Sequence, residues 1–199
     1  MRKIILLVII ALAVANGYSQ KKGGFRVGLD LGYVPTGGGG GGMLSIEPKY
    51  NIKDNMNVGL RLGGAGIAKD IQENSTATSA EISANGSLVG TYDYYFHKSG
   101  SGSSFAPYIG GGVGYYSLAN VKVDDTSSSD EISPAVTGLV GGLIRGGIEW
   151  AGFRMGLEYN FISDSDMEDL NGNFYGTAKN SYLGIHIGFF VGGGKWGKK

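Results

Sequence analysis

The stretch that decides the fold is Phe153-Arg154-Met155-Gly156-Leu157-Glu158-Tyr159-Asn160-Phe161, in which apolar residues alternate with polar or small ones without a break. A repeat of two residues is the period of a β-strand, because successive side chains point to opposite faces of a sheet. One face of this segment is apolar and uncharged, whereas the other carries Arg154 and Glu158. The segment therefore predicts a strand whose two faces meet different surroundings.

Seven further segments show the same alternation. The eight predicted strands cover residues 24–34, 42–52, 55–65, 82–96, 104–118, 135–149, 152–163 and 180–191. Most are longer than the roughly 5–6 residues usual in globular proteins, and about 9–11 residues are enough to cross a bilayer at a tilt. The even number matches single-chain bacterial outer-membrane barrels. Taken strand by strand, a soluble barrel or sandwich with the apolar face in its core fits the same pattern.

The N-terminus favours the membrane alternative, because it has the features of a secretory signal peptide. Arg2 and Lys3 precede a twelve-residue apolar run, Ile4 to Ala15, that ends in small residues. A membrane-anchor helix needs roughly 20 apolar residues, so the run is too short for that role. We predict a signal peptide over residues 1–20, cleaved between residues 15 and 20, and one barrel domain with a short C-terminal tail over residues 21–199.

The connections and the aromatic residues also fit an outer-membrane barrel. The predicted inner turns are 53–54, 97–103 and 150–152, and the outer loops are 35–41, 66–81, 119–134 and 163–179, three of them long. Short inner turns, long outer loops and an aromatic girdle at each interface are typical of such barrels. The predicted girdles comprise Phe25, Tyr50, Tyr94, Phe96, Phe105, Trp150, Phe153 and Phe189 at the inner end, and Tyr33, Tyr115, Tyr159, Phe161 and Tyr182 at the outer end. We predict an all-β fold, an eight-stranded antiparallel transmembrane β-barrel, located in the cell outer membrane.

Composition excludes several other classes of protein. The chain has 38 glycines in 199 residues without a G-X-Y period, which excludes collagen, and it has no cysteine for disulfides. Its formal net charge is zero, whereas nucleic-acid binding requires a basic surface, so no nucleic-acid partner is expected. We expect outer-membrane lipid as the main partner and a monomeric protein.

The opposite face of the strands predicts the content of the barrel. If the uncharged faces meet lipid, ten charged residues and one histidine point inward: Arg26, Asp30, Glu47, Lys49, Arg61, Asp93, Arg145, Glu149, Arg154, Glu158 and His186. The charges are five positive and five negative, so they can pair inside a lumen that side chains fill. Inward glycines leave room for the long side chains. We predict a structural polar network, with an ion path along the same charges as the alternative.

Two segments carry a family resemblance. Residues 106–115, Ala-Pro-Tyr-Ile-Gly-Gly-Gly-Val-Gly-Tyr, resemble the PY-x-G-x-G-x-G strand of small outer-membrane β-barrel proteins, and the hairpin 145–159 resembles their penultimate hairpin. The family includes the OmpA membrane domain and the OmpX-like and OmpW-like barrels. The tail after Val191 is similar to that of small barrels of the Bacteroidota. The OmpW-like resemblance implies a narrow channel for small or hydrophobic solutes as an alternative function.

Motifs that carry chemistry are scarce, and we predict no catalytic, cofactor or metal site. The glycine string 110–114 is followed by no predicted helix, so it is not a nucleotide loop. The acidic segment 164–169 lacks the glycine and the closing glutamate of a calcium loop. Of the two histidines, His97 lies in a turn, and His186 has no serine and acid at matched depth. Enzymatic lipid modification, known in certain outer-membrane barrels, is therefore the least favoured function.

Charge is distributed unequally between the two ends of the predicted barrel. The outer loops contain Asp70, Glu73, Glu81, Asp124, Asp125, Asp130, Glu131, Asp164, Asp166, Glu168 and Asp169, whereas lysines dominate the inner end. This layout predicts that the acidic loops face the outside of the cell, where they bind divalent cations or a basic surface partner. The predicted function is a structural or surface-interaction role in the outer membrane.

Overall fold

The computed structural model describes residues 22–36, 39–73, 77–97, 103–123, 136–168 and 174–193. Within these ranges the chain forms ten strands: β1 Phe25–Thr36, β2 Gly39–Lys53, β3 Met56–Glu73, β4 Ala77–Tyr95, β5 Phe105–Val123, β6 Val136–Trp150, β7 Phe153–Ile162, β8 Ser165–Glu168, β9 Phe174–Ala178 and β10 Tyr182–Gly192. Strands β1 to β7 and β10 form a closed antiparallel barrel, and β8 pairs with β9 in a separate two-stranded sheet. The predicted eight-stranded barrel is confirmed. The predicted signal peptide lies outside the described residues and stays a prediction.

Burial separates the two faces of the barrel strands. On β7, Phe153 and Leu157 are 68% and 52% exposed, whereas Arg154 and Glu158, which directly follow them, are 4% and 2% exposed. The apolar residues thus lie outside and the charged residues inside, which is the reverse of a soluble barrel. The outer surface suits a hydrocarbon environment, in which a closed barrel satisfies its backbone hydrogen bonds internally. No helix in the described ranges is long and apolar enough to cross a membrane.

The register fixes the tilt of the strands. Starting at the inward-facing Asp30, the paired residues lead through β2, β3, β4 and β5 to Leu139 of β6. In the other direction they lead through β10 and β7 to Glu149 of the same strand. The two end points are ten residues apart, and this stagger requires strongly tilted strands, about 35–45° for barrels of this kind. Residues far apart in sequence therefore share one depth.

We call the end of the barrel with the tight turns after β2 and β6 the inner end. At this end the segments before β1 and after β10 both contact Asn51 of β2. The turn between β6 and β7 consists of Ala151 and Gly152, both with positive φ (50° and 98°), which is the geometry of a two-residue hairpin turn. Before β1, the backbone of Gly23 donates a hydrogen bond to the carbonyl of Asn51 at 2.7 Å. After β10, the carbonyl of Gly193 accepts a bond from the side chain of Asn51 at 3.2 Å.

Two predictions about the outer end, where the connections after β1, β3, β5 and β7 lie, are wrong. Residues 66–81 are not a long loop, because β3 continues to Glu73 and β4 begins at Ala77, so Asp70, Glu73 and Glu81 lie in strands. Tyr182 is not part of the outer aromatic girdle: it is only 7% exposed and points into the barrel. The other acidic stretch, 124–131, lies outside the described residues.

Candidate functional site

The barrel interior is the candidate site. All eleven residues of the predicted lumen network are buried: Arg26 and Asp30 on β1, Glu47 and Lys49 on β2, Arg61 on β3, Asp93 on β4, Arg145 and Glu149 on β6, Arg154 and Glu158 on β7, and His186 on β10. Each stands on the inward half of its strand's alternation. The structure brings ten of them into three connected groups and leaves Asp30 without an ion pair among the described residues.

The central group joins two carboxylates with three cations. The guanidinium of Arg145 donates to Glu47 at 2.6 and 3.0 Å and to Asp93 at 2.8 and 3.0 Å. The ammonium of Lys49 lies 2.5 Å from Asp93 and 3.2 Å from Glu47. Arg154 reaches both carboxylates at 3.4 and 3.2 Å, and the Thr91 hydroxyl donates to Glu47. Every carboxylate oxygen in this group meets a donor, as burial of charge requires.

A second group lies nearer the inner end. Arg26 donates to Glu149 at 2.8 Å, and the Tyr95 hydroxyl donates to the same oxygen at 2.8 Å. The guanidinium of Arg26 also lies over the ring of Phe190, 3.4 Å from its centroid, in a cation–π contact. The bond between Arg26 on β1 and Glu149 on β6 joins two strands that are not neighbours in the barrel. The two residues are 123 positions apart in sequence.

The third group lies on the outer side of the central one. Arg61 donates to Glu158 at 2.9 Å, the Asn160 amide donates to the same oxygen at 2.9 Å, and the Tyr116 hydroxyl donates to Asn160 at 3.0 Å. The Nδ1 atom of His186 lies 3.6 Å from Glu158, and its Nε2 atom lies 3.2 Å from the Tyr108 hydroxyl. His186 is therefore held between a tyrosine and a carboxylate.

Glycines make this packing feasible. A Cβ atom on Gly110 would collide with the carboxylate of Asp93, and one on Gly188 would collide with the carboxylate of Asp30. On Gly156 a Cβ atom would meet the Tyr108 hydroxyl at 2.6 Å. The space over these three inward glycines is thus filled by polar side chains of neighbouring strands, whereas a Cβ atom on Gly114 would collide with the backbone of Leu88 and one on Gly184 with the sulfur of Met43. Gly28 is an exception, because its nearest neighbour would be a backbone oxygen at 3.8 Å.

An apolar cluster, which our reading of the sequence missed, fills the outer half of the interior. It consists of Val34, Met43, Ala65, Ile67, Val89, Tyr116, Leu118, Leu143, Ile162 and Tyr182, all buried. These residues follow the same inward alternation as the charges: Val34 follows Asp30 on β1, and Val89 stands four residues before Asp93 on β4. Their inward position in the alternation of each strand is the signal in the sequence from which they could have been predicted. The interior is therefore ionic in its inner and middle parts and apolar above them.

Comparison with known proteins gives the family. The outer membrane protein beta-barrel domain matches residues 4–143, more than half of the chain. The chain belongs to this family. It is accordingly a protein of the cell outer membrane, and the predicted localisation and the resemblance to small outer-membrane barrels are confirmed. No curated protein sequence matches the chain.

Solved structures of outer-membrane barrels resemble this chain at low sequence identity. The outer membrane protein OprG from Pseudomonas aeruginosa is 13% identical, with a TM-score of 0.50 over 88% of this chain and 99% of OprG. The N-terminal barrel domain of Pseudomonas aeruginosa OprF is 12% identical, with a TM-score of 0.48 over 87% of this chain and 99% of that domain. Neisserial surface protein A is 14% identical, with a TM-score of 0.48 over 85% of this chain and 96% of its own. At such identities the likeness to OprG shows the fold alone.

The described part of the family barrel offers no arrangement for metal chemistry. Among those residues, no group of three or more His, Asp or Glu side chains could hold a metal ion. His97, the other histidine, lies at the inner end and has its Nδ1 atom 3.2 Å from the carbonyl of Phe105. The imidazole of His186 is enclosed in the barrel interior, where it contacts Tyr108 and Glu158. The chemistry that the interior supports is hydrogen bonding and charge pairing.

Proposed function

We propose that this protein is a non-enzymatic structural barrel of the outer membrane whose interior is sealed to ions. The observation that carries the proposal is the layered interior, in which a buried ion-pair network lies beneath a buried apolar cluster. The three groups hold their charges in direct contacts of 2.5–3.4 Å. The pairs Arg61–Glu158 and Arg145–Glu47 join strands on opposite sides of the barrel. These side chains cross the space through which a permeating ion would have to pass.

The apolar cluster adds a second barrier. Leu143, Val89 and Ile162 lie inside the outer half and are at most 3% exposed. An ion that enters this layer exchanges its hydration for surroundings whose polar groups are few, chiefly the hydroxyls of Tyr116 and Tyr182 and the amide of Asn85, and this exchange is strongly unfavourable. Hydrophobic constrictions close channels in this way even where they leave some space. If the lumen is sealed, the function of the protein depends on contacts made by the outer surface of the barrel and by its outer segments.

The surface role is assigned to the acidic outer segments. Asp164 is an exposed residue at the end of the barrel that carries the β8–β9 hairpin, and the sequence places many other carboxylates in the segments at this end. We propose that they face the cell exterior and contact divalent cations or a basic partner. In intact cells, a tag at Ser128 should then be labelled from outside and one at Gly100 should not. The reverse labelling would overturn this orientation.

The sealed lumen is tested by conductance. Refolded protein, inserted into planar lipid bilayers in molar potassium chloride, should give no stable unitary current above the bare membrane. Heat-modifiable migration on a gel confirms in the same preparation that the barrel is folded, because closed barrels resist detergent until boiled. Reproducible single-channel steps from folded protein would contradict the proposal.

One observation favours a second candidate, a lateral path for hydrophobic solutes. The ladder between β1 and β10 ends at Tyr33 and Ile185, although β1 continues to Thr36 and β10 begins at Tyr182. Val34 and Tyr182, which border this unpaired part of the seam, belong to the apolar cluster. An apolar molecule could thus move between the outer half of the interior and the membrane without crossing the ion-pair network.

This candidate is tested by closing the seam. The native chain has no cysteine, so Pro35→Cys with Leu183→Cys provides a single engineered disulfide between the two strands. If the seam is a path, proteoliposomes with the reduced protein take up an apolar fluorescent probe faster than empty liposomes, and oxidation abolishes the difference. Uptake that equals that of empty liposomes in both redox states would exclude the path and favour the sealed barrel.

A further inference from the structure

The two strands that close the barrel, β1 and β10, part before either of them ends. Their ladder stops at the pair of Tyr33 and Ile185. Beyond this pair, residues 34–36 stay paired with β2 and residues 182–184 stay paired with β7. Pro35, in the first of these segments, has no N–H group and cannot donate to a ladder. The outer part of the seam between β1 and β10 thus has no backbone ladder among the residues that the structure describes.

Two inward glycines stand where the strands part. Gly32 of β1 pairs with His186, on the inner side of the last pair, and Gly184 of β10 is the first residue beyond that pair. A Cβ atom on Gly32 would lie 2.6 Å from Cγ and 2.9 Å from Sδ of Met43, and one on Gly184 would lie 2.5 Å from Sδ and 3.5 Å from Cε of the same side chain. Met43 pairs with Gly32 from β2. Its side chain therefore reaches across the seam from β1 to β10.

Packing holds the methionine in this position. Its side chain is 5% exposed and belongs to the apolar cluster, together with Val34 and Tyr182 at the same seam. A thioether is only a weak hydrogen-bond acceptor, and the unbranched chain has three rotatable bonds, so methionine adapts to irregular gaps. The Cγ atom of Glu158, whose carboxylate pairs with Arg61, lies 3.2 Å from the position of a Cβ atom on Gly184. The methionine thus lies at the boundary between the ion-pair network and the apolar cluster.

We propose that Met43 is a latch, a side chain that closes the lateral seam from inside the barrel. With its thioether over both glycines, it bridges β1 and β10 at the point where their ladder stops. Rotation of the side chain away from Gly184 uncovers two glycines and opens a way for an apolar molecule between the membrane and the apolar cluster. The inference rests on the second candidate function, the lateral path, and names the residue that regulates it.

Hydrogen exchange tests the latch without any solute. It is measured by nuclear magnetic resonance in lipid nanodiscs at the last pairs of the ladder, residues 31–33 and 185–187. Met43→Ala removes the bridge, so the amides that bond across the seam should exchange at least about tenfold faster than in the wild-type protein, because local opening depends on the contacts that hold a segment. Met43→Val keeps an apolar side chain that stops short of Gly184. It should act in the same direction, and it replaces Met43→Ala if that variant does not fold.

Val89→Ala is the matched control for exchange. Val89 belongs to the same apolar cluster but stands on β4, and its Cγ1 atom lies over Gly112 of β5, on the wall opposite the seam. The change removes volume from the cluster without a contact to β1 or β10, so exchange at the seam should equal that of the wild-type protein. Wild-type exchange rates at the seam in a folded Met43 variant would overturn the latch, as would equally fast exchange in Val89→Ala.

Uptake by proteoliposomes separates the latch from the path. Met43→Ala should take up the apolar fluorescent probe several-fold faster than the wild-type protein, and an oxidised disulfide from Pro35→Cys with Leu183→Cys in the same variant should abolish the gain. If oxidation abolishes the uptake in the wild-type background but Met43→Ala leaves the rate unchanged, the latch is wrong and the path stands. Faster exchange at the seam without uptake by wild type or variant would overturn the path, and the latch would stand as a closure of the barrel wall.

Discussion

The inner and outer halves of the barrel interior fill the same kind of space with opposite chemistry. In the inner and middle parts, Arg145 makes four hydrogen bonds to Glu47 and Asp93 across the lumen. Two residues earlier on the same strand, Leu143 packs in a cluster of apolar side chains. Ion pairs are directional, and loss of one partner leaves an unpaired buried charge that destabilises the fold. Apolar packing depends mainly on side-chain volume. The two halves should therefore differ in how they respond to substitution.

The largest effect is expected for Arg145→Met. The change leaves Lys49 and Arg154 as the cations next to Glu47 and Asp93, and removal of one member of a buried ion pair costs about 3–5 kcal/mol. Urea unfolding of the protein refolded into lipid vesicles, followed by tryptophan fluorescence, measures the loss in unfolding free energy. A loss below about 1 kcal/mol, the size of an exposed pair, would mean that the ionic half is not a stabilising network.

A somewhat smaller loss is expected when a charge is placed on the other side of the same wall. Leu60 is 47% exposed on the outer surface, directly before the buried Arg61. Leu60→Arg should cost about 2–4 kcal/mol if the position lies near the bilayer midplane, and Leu60→Met is its control. Equal unfolding free energies for the two variants in vesicles would show that this face does not meet hydrocarbon.

The ionic half should also be sensitive to added volume. Gly110→Ala places a methyl group against the carboxylate of Asp93, and overpacking of this kind costs about 1–3 kcal/mol. Gly86→Ala is the matched control, because a Cβ atom there meets nothing within 4 Å. The comparison is made by the temperature at which each folded barrel loses its heat-resistant gel mobility. A control as destabilised as Gly110→Ala would assign the effect to strand propensity instead.

The smallest effect is expected for Leu143→Met in the apolar half. Volume-conserving apolar exchanges usually cost less than about 1.5 kcal/mol, because the neighbours repack around the new side chain. Both Leu143→Met and Arg145→Met introduce methionine, and the two sites are two residues apart on β6. A difference in unfolding free energy between the two variants therefore reports the difference between the apolar and the ionic half of the interior. Similar losses for both variants in urea titrations would remove the distinction between the two halves.

Alternation in the sequence was sufficient to predict the eight barrel strands and to place all eleven lumen residues inside, since parity of position decides the face. It could not predict which charges meet. Arg26 finds Glu149 because a ten-residue stagger brings β1 and β6 to one depth, and the stagger is a property of the closed sheet. Asp30 shows the same limit, because its lack of an ion pair depends on where Arg61 and Arg154 point.

The errors have physical reasons as well. Beyond Ala68 the alternation of apolar and polar residues fades, so the outer parts of β3 and β4 carry no period-two signal although they pair fully as strands. Tyr182 was assigned to the interface because tyrosine prefers that level. Its even position on β10, shared with His186, places it inside instead. The apolar cluster was not predicted for a related reason. Charged residues distinguish the inward face from the lipid-facing one, whereas valine and leucine are common on either face of a strand.

The ion pairs that cross the lumen also constrain how the barrel can be built. Arg26 and Arg61 belong to the first three strands, and the residues with which they form ion pairs, Glu149 and Glu158, belong to β6 and β7. A sheet of the first four strands alone would present unpaired charges to the lipid, which hydrocarbon does not tolerate. We therefore expect insertion of the strands and closure of the sheet to be coupled, because a half-inserted sheet would expose Arg26 and Arg61 to lipid without their carboxylates.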